Sequence, residues 1–93
     1  IVHMVIIKKN YYLYIENLKD LNVDNLLNNK KINIILRNVK NNKLSEIKKY
    51  RQKCKNKKIK FYITNSKKIA KACNADGLYI SAYNKKRYYK KTK

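Results

Sequence analysis

Apolar positions along the chain fall into short blocks that change period. The segment NYYLYIE (10–16) is aromatic and β-branched with near two-residue alternation, which predicts a strand. LKDLNVDNLLNNK (18–30) carries Leu21, Leu26 and Leu27 and predicts a short helix weakened by its asparagines. INIILR (32–37) is apolar on both faces and predicts a second strand. NKLSEIKKYRQKCKNK (42–57) spaces Leu44, Ile47, Tyr50 and Cys54 three and four residues apart, an apolar stripe on a basic helix. Asn42 is its expected N-cap, and Glu46 lies near the positive end of the helix dipole. IKFYIT (59–64) predicts a third strand. Ser66 is placed to cap KKIAKAC, whose Ile69, Ala70 and Cys73 form a narrow stripe, and LYIS (78–81) predicts a fourth strand.

The predicted order is therefore β-α-β-α-β-α-β, an α/β chain with four parallel strands in sequential order and helices on one side. Ligand-bearing groups in such sheets come from the carboxyl ends of the strands. Arg37, Asn65 and the stretch Ser81 to Asn84 fall there. Asp76 precedes Gly77, the only glycine, and is expected to bond backbone amides at the turn.

Length and charge narrow the picture less than they first suggest. The 93 residues suffice for one small domain. Lys and Arg number 25 against 5 acids, giving +20, a footprint for nucleic acid, a membrane surface or phosphate ligands. The abundant Lys, Asn, Ile and Tyr are also what an A+T-rich coding bias produces, so the charge has a compositional explanation of equal standing. Under that explanation the lysines, including Lys43, Lys48, Lys53 and Lys67, are scattered over outer helix faces. Cys54 and Cys73 match no metal-binding spacing, and with His3 the only histidine they read as two free thiols in a reducing cytoplasm. No apolar run reaches the 18 residues of a membrane span, and IVHMVIIKK lacks the build of a signal peptide. Met4 is a candidate start, with Ile1 to His3 upstream of it. Residues 85–93 form a basic tail, and the tyrosine-rich run AYNKKRYYKKTK reads as the beginning of a further helix. That suggests either one domain over 1–93 or a fragment of a larger barrel.

The blocks resemble the thiamine phosphate synthase and thiazole tautomerase family. LYIENLKD stands where the family has its first strand, and IILRNV (34–39) where it has Val-Gln-Leu-Arg-Glu-Lys. FYITNS stands at its apolar run plus Asn-Asp, and NADGLYISAYN (74–84) at Gly-Ala-Asp-Gly-Val-His-Leu-Gly-Gln-x-Asp. The resemblance covers roughly residues 11 to 84 and implies the first half of a (β/α)8 barrel. It implies a transferase that joins a pyrimidine-methyl pyrophosphate to a thiazole phosphate in thiamine biosynthesis. Arg37 and Asn65 would hold the substrate pyrophosphate, and Lys40 and Ser81 would offer further phosphate contacts. Ser66 and Asn84 stand where the family has its Mg²⁺-binding aspartates, and a hydroxyl and an amide are weak magnesium ligands. The motif Gln, Lys and His are replaced by Ile35, Val39 and Tyr79. The resemblance thus implies binding of phosphorylated precursors with little or no synthase turnover. The expected partners are such small molecules, and the missing barrel half or a second copy.

The alternative is a basic nucleic-acid-binding protein, for which the net charge and the Tyr/Lys interleaving at Tyr83, Tyr88 and Tyr89 speak.

Overall fold

A five-stranded sheet organises residues 2–80, the part of the chain that the computed structural model describes. Its strands are β1 (His3–Ile7), β2 (Asn10–Ile15), β3 (Ile32–Leu36), β4 (Lys60–Thr64) and β5 (Gly77–Tyr79), side by side in chain order. The helices are α1 (Leu44–Asn56) and α2 (Lys67–Ala72). The four strands expected from the pattern, β2 to β5, are all parallel and sequential.

The all-parallel expectation needs one correction. Residues 3–7 add a fifth strand, antiparallel to β2, with Val5 opposite Tyr12 and His3 opposite Tyr14. A two-residue turn, Lys8 and Lys9, makes this hairpin, both residues holding positive φ (50° and 69°). Such turns normally use Asn and Gly, so nothing in the dipeptide announced one. In a closed (β/α)8 barrel the first parallel strand pairs with the last. Here that edge of β2 carries β1.

The helix expected over 18–30 is also absent. Two short 3-10 turns, Leu18–Asp20 and Val23–Asn25, stand in its place. Side chains compete with the helical backbone for its amides. One Asp20 oxygen accepts from the amides of Glu16 and Asn17, both at 3.0 Å, and Asn22 Oδ1 accepts from the Asp24 amide at 3.0 Å. The Asn17 amide, then that of Glu16, holds the Asp20 carboxyl below the usual carboxylate range. That stabilisation is present above the ordinary carboxylate pKa and is lost as pH falls through the lowered one. Helix α1 ties the crossover down. The Tyr50 hydroxyl donates to the Leu21 carbonyl at 2.8 Å, and the Lys57 ammonium donates to the carbonyls of Asp24 and Leu26. Val23 is buried in the core, whereas Leu27, one of the three leucines of the expected helix, is 84% exposed.

Helix α1 follows its apolar stripe, burying Ile47, Tyr50 and Cys54 and keeping Glu46 in its first turn. Its N-cap is Lys43 rather than Asn42. The Asn42 side chain instead bridges loops, donating to the carbonyls of Glu16 and Asn38 and accepting from the Leu18 amide. Ser66 does cap α2, its Oγ accepting from the Ile69 amide at 3.2 Å. Ala70 and Cys73 turn inward.

Both helices pack on one face of the sheet. Ile15, Ile34, Leu36, Phe61, Ile63 and Leu78 meet Ile47, Tyr50, Cys54, Ala70 and Cys73 in one cluster. Tyr50 and Phe61 rings lie 5.5 Å apart within it. Cys54 and Cys73 are both free and buried. Burial pushes the Cys54 thiol up to about 12 and raises that of Cys73, which keeps both protonated and unreactive at neutral pH.

Asp76 fastens the amino-terminal end of the sheet. Its Oδ2 accepts from the Phe61 amide at 2.8 Å, and its own amide donates to the Phe61 carbonyl at 2.8 Å. The Arg51 guanidinium of α1 grips both carboxylate oxygens (3.2 and 3.3 Å) while its Nε donates to the Asn74 carbonyl at 2.8 Å. Gly77 is buried beside Tyr62 in the ladder, with no positive φ. The requirement there is space, because a Cβ would stand on the same face as the Tyr62 ring.

Two outcomes follow for stability in urea. Asp76→Ala is expected to cost about 2–3 kcal/mol, since it strands a charged guanidinium and a buried amide. Lys9→Gly is expected to stabilise by about 1 kcal/mol by relieving a left-handed lysine. An unchanged denaturation midpoint in either variant would contradict these assignments.

Candidate functional site

The carboxyl ends of β3 and β4 open into a cleft of about 670 Å³ lined by Arg37, Asn38, Val39, Lys40, Asn42, Thr64, Asn65, Ser66 and Ile69. Four of the residues singled out from sequence, Arg37, Lys40, Asn65 and Ser66, therefore share one cleft. Ser81 and Asn84 lie outside the described residues.

Each lining residue has a local reason for its place. Arg37 follows β3, and its amide donates to the Ile15 carbonyl at 2.8 Å, which carries the β2–β3 ladder one step past the strand. Its side chain is half exposed and pairs with Glu16 at 3.6 Å. An exposed pair of this kind is weakly held and screened by salt. Lys40 lies exposed in the 3-10 turn Val39–Asn41 that leads to α1. Asn65 makes the strand-to-helix turn at φ 56°, a left-handed value that asparagine tolerates better than most residues. Its amide donates to the Tyr79 carbonyl at 2.8 Å, which ties the turn to β5. Asn65 and Ser66 thus both serve the turn, and both line the cleft.

Thr64 was not singled out from sequence. It ends β4, is 5% exposed, and its Oγ1 has no hydrogen-bond partner among the described residues. A buried hydroxyl without a partner costs about 1–3 kcal/mol, so this oxygen calls for a ligand or a water. The signal was readable in principle. In IKFYIT, Phe61 and Ile63 belong to one face, and Thr64 follows Tyr62 on the other.

The cleft is positive. Arg37 and Lys40 line it and no carboxylate does. The Ser66 oxygen is already engaged as the cap of α2. Magnesium prefers anionic oxygen ligands, and the described lining supplies none, so these residues do not by themselves fit the ion that the resemblance implies. Among the described residues no cluster of three or more His, Cys, Asp or Glu could hold a metal. None of their helices is long and apolar enough to cross a membrane.

Beside the cleft, the sheet face turned away from the helices is lined with tyrosine. Tyr14 and Tyr79 rings stand 5.8 Å apart at 71°, and His3 meets Tyr14 at 6.1 Å. Burial, then a hydrogen bond with Tyr79, pushes the Tyr14 hydroxyl up to about 12. Burial also raises Tyr50 and Tyr62.

No family model, curated protein or solved structure matches the chain.

The tyrosines give a pH dependence with a definite sign. A phenol whose folded pKa is raised favours its protonated form in the fold. Its contribution is complete below the ordinary value of 10 and fades as pH rises toward about 12. Urea midpoints should therefore fall across that interval, and Tyr14→Phe should flatten the fall. A variant with the wild-type alkaline slope would show that Tyr14 is not the group responsible.

Proposed function

We propose that the chain binds a phosphorylated small molecule at the cleft between β3 and β4, as a thiamine-phosphate-synthase-like protein that does not turn over. In this reading β2 to β5 correspond to the first half of a family barrel, and β1 is an addition to it. The carrying observation is the buried, unpartnered Thr64 hydroxyl in a cleft that also holds Arg37, Lys40 and Asn65. A guanidinium fork suits a diphosphate, an amide and a hydroxyl can each donate to one of its oxygens, and an ammonium adds a point charge. The parallel strands point their carboxyl ends at this cleft, where ligands of α/β sheets bind.

Binding must displace Glu16 from Arg37. Losing an exposed pair costs about 0–1 kcal/mol, less than a charge-assisted contact to phosphate returns. Glu16 therefore works as a mild competitor, and its removal should tighten anion binding.

The test is isothermal titration with inorganic pyrophosphate and with thiamine phosphate, each without Mg²⁺. Arg37→Ala is expected to weaken binding about ten-fold, from the loss of one charge-assisted contact, and Glu16→Gln to strengthen it by a few-fold. Thr64→Val should leave stability unchanged or raise it by up to about 1 kcal/mol while weakening binding. An assay of thiamine phosphate formation with Mg²⁺ is expected to show no turnover. Heat signals unaltered in Arg37→Ala and Thr64→Val would remove the cleft as the binding site, and robust turnover would overturn the non-catalytic reading.

A further inference from the structure

Strand alternation sorts the tyrosines. Tyr12 and Tyr14 of β2, Tyr62 of β4 and Tyr79 of β5 lie on the face opposite the one that packs against α1 and α2. Register arranges that face in rows. Val5, Tyr12, Asn33 and Lys60 form one, and His3, Tyr14, Ile35, Tyr62 and Gly77 form the next. Among the described residues no helix covers it, since both α1 and α2 join the opposite core.

The rings form a surface rather than a scatter of side chains. β2 and β5 are separated by two strands, about 14 Å across at normal spacing. Tyr14 and Tyr79 nevertheless bring their rings within 5.8 Å. Ile35, whose register partners on this face are Tyr14 and Tyr62, is only 2% exposed. With His3 against Tyr14, an aromatic line crosses from β1 to β5. Tyr79 remains 38% exposed, and Tyr12, Tyr14 and Tyr62 are each partly exposed.

Charge selects the occupant. The chain carries +20, which opposes a second copy of itself and favours a polyanion. Four of its five acids are engaged elsewhere: Asp20 by backbone amides, Asp24 by Lys53, Asp76 by Arg51 and Glu16 by Arg37. Exposed Lys60 stands in the first row, and Arg37 lies close enough to Tyr14 to act on its titration. A polyanion with free aromatic planes matches a tyrosine surface in a cationic field, and duplex bases are not free to stack. We infer that this face binds single-stranded nucleic acid, bases stacking on Tyr12, Tyr62 and Tyr79 and phosphates meeting the surrounding lysines. This face adjoins the phosphate cleft, since Thr64 lines the cleft and pairs with Tyr79, and the two proposals are told apart by their variants: Tyr62 and Tyr79 lie outside the cleft lining, and Lys40 lies outside the tyrosine rows.

Tyrosine emission reports the event directly, because the chain has no tryptophan. The full chain is titrated with a 15-nucleotide oligo-dT, the matching oligo-U, a 15-base-pair duplex, inorganic polyphosphate and anionic lipid vesicles, at about physiological salt. Quenching with either single strand, at least ten-fold tighter than with duplex or polyphosphate, is expected. Tyr79→Ala and Tyr62→Ala should each weaken single-strand binding about ten-fold, whereas Tyr79→Phe, which keeps the ring, should bind like wild type. Lys60→Ala should lower the salt dependence. Equal binding of polyphosphate and oligonucleotide, preference for vesicles, or loss of binding in Tyr79→Phe as large as in Tyr79→Ala would overturn the inference. Should Tyr79→Ala fail to fold, Tyr79→Leu replaces it, and unchanged affinity there has the same force.

Discussion

A single carboxylate, Asp76, holds the described structure at its joint. Through one side chain and one amide it fixes the start of β4 at Phe61, receives α1 through Arg51, and sets the entry of β5 at Gly77. Three elements meet there. Hydrogen bonds to charged groups contribute about 1.5–3 kcal/mol, several times a solvent-exposed ion pair. The Arg51 side chain is largely shielded, whereas the Arg37–Glu16 pair at the other end of the sheet is half exposed on both sides. The sheet is thus clamped at its amino end and loosely dressed at its carboxyl end, where the cleft lies. Rigid support below and replaceable contacts above suit a site that exchanges an ion pair for a ligand.

The same alternation that builds the core builds the second surface. On β3 and β4, Ile34, Leu36, Phe61 and Ile63 meet the helices while Asn33, Ile35, Tyr62 and Thr64 face away. The far face is nonetheless partly dry. Asn33 is buried with its amide donating to the Tyr11 and Lys31 carbonyls, and Ile35, between Tyr14 and Tyr62 in the register, is buried too. Tyrosine can do this because its ring shields apolar neighbours while its hydroxyl stays hydrated or hydrogen-bonded. Lysines meanwhile lie on both helices, on β4 and in the loops, with Lys43, Lys48, Lys53 and Lys67 all exposed. The net charge favours any polyanion, so selectivity among polyanions has to reside in the tyrosines.

Much of this architecture was legible in the residues, for reasons that also explain the failures. β-branched runs and the Ile47–Tyr50–Cys54 stripe mark elements whose pattern is enforced by burial, and those elements form where expected. Ser66 and Asp76 were readable because a cap and a turn carboxylate act locally. The hairpin was not, because Lys8 and Lys9 carry no turn preference and only pairing with β2 forces their conformation. The 18–30 helix failed because its asparagines and aspartates bind nearby amides, which a count of leucines cannot register. Asn42 looked like a cap and became a bridge between loops 26 and 4 residues away, a role set by tertiary structure. Of the cleft, the residue types at strand ends were visible, but the buried hydroxyl of Thr64 and the gathering of four tyrosines on one face required the register.

Among the described residues, five other than glycine hold positive φ: Lys8, Lys9, Lys58, Asn65 and Asn74. They sit at the β1–β2 turn, the exit of α1, the exit of β4 and the exit of α2. A chain with one glycine makes its left-handed joints from lysine and asparagine, and the stored energy collects between elements rather than inside them. Local opening of the native state should therefore begin at the joints. Amides near Lys58 and Asn74 would exchange with solvent hydrogen through small, frequent openings, while those of Phe61 and Ile63 wait for the whole sheet to come apart. The scarcity of one amino acid thus becomes a spatial map of where this molecule loosens first.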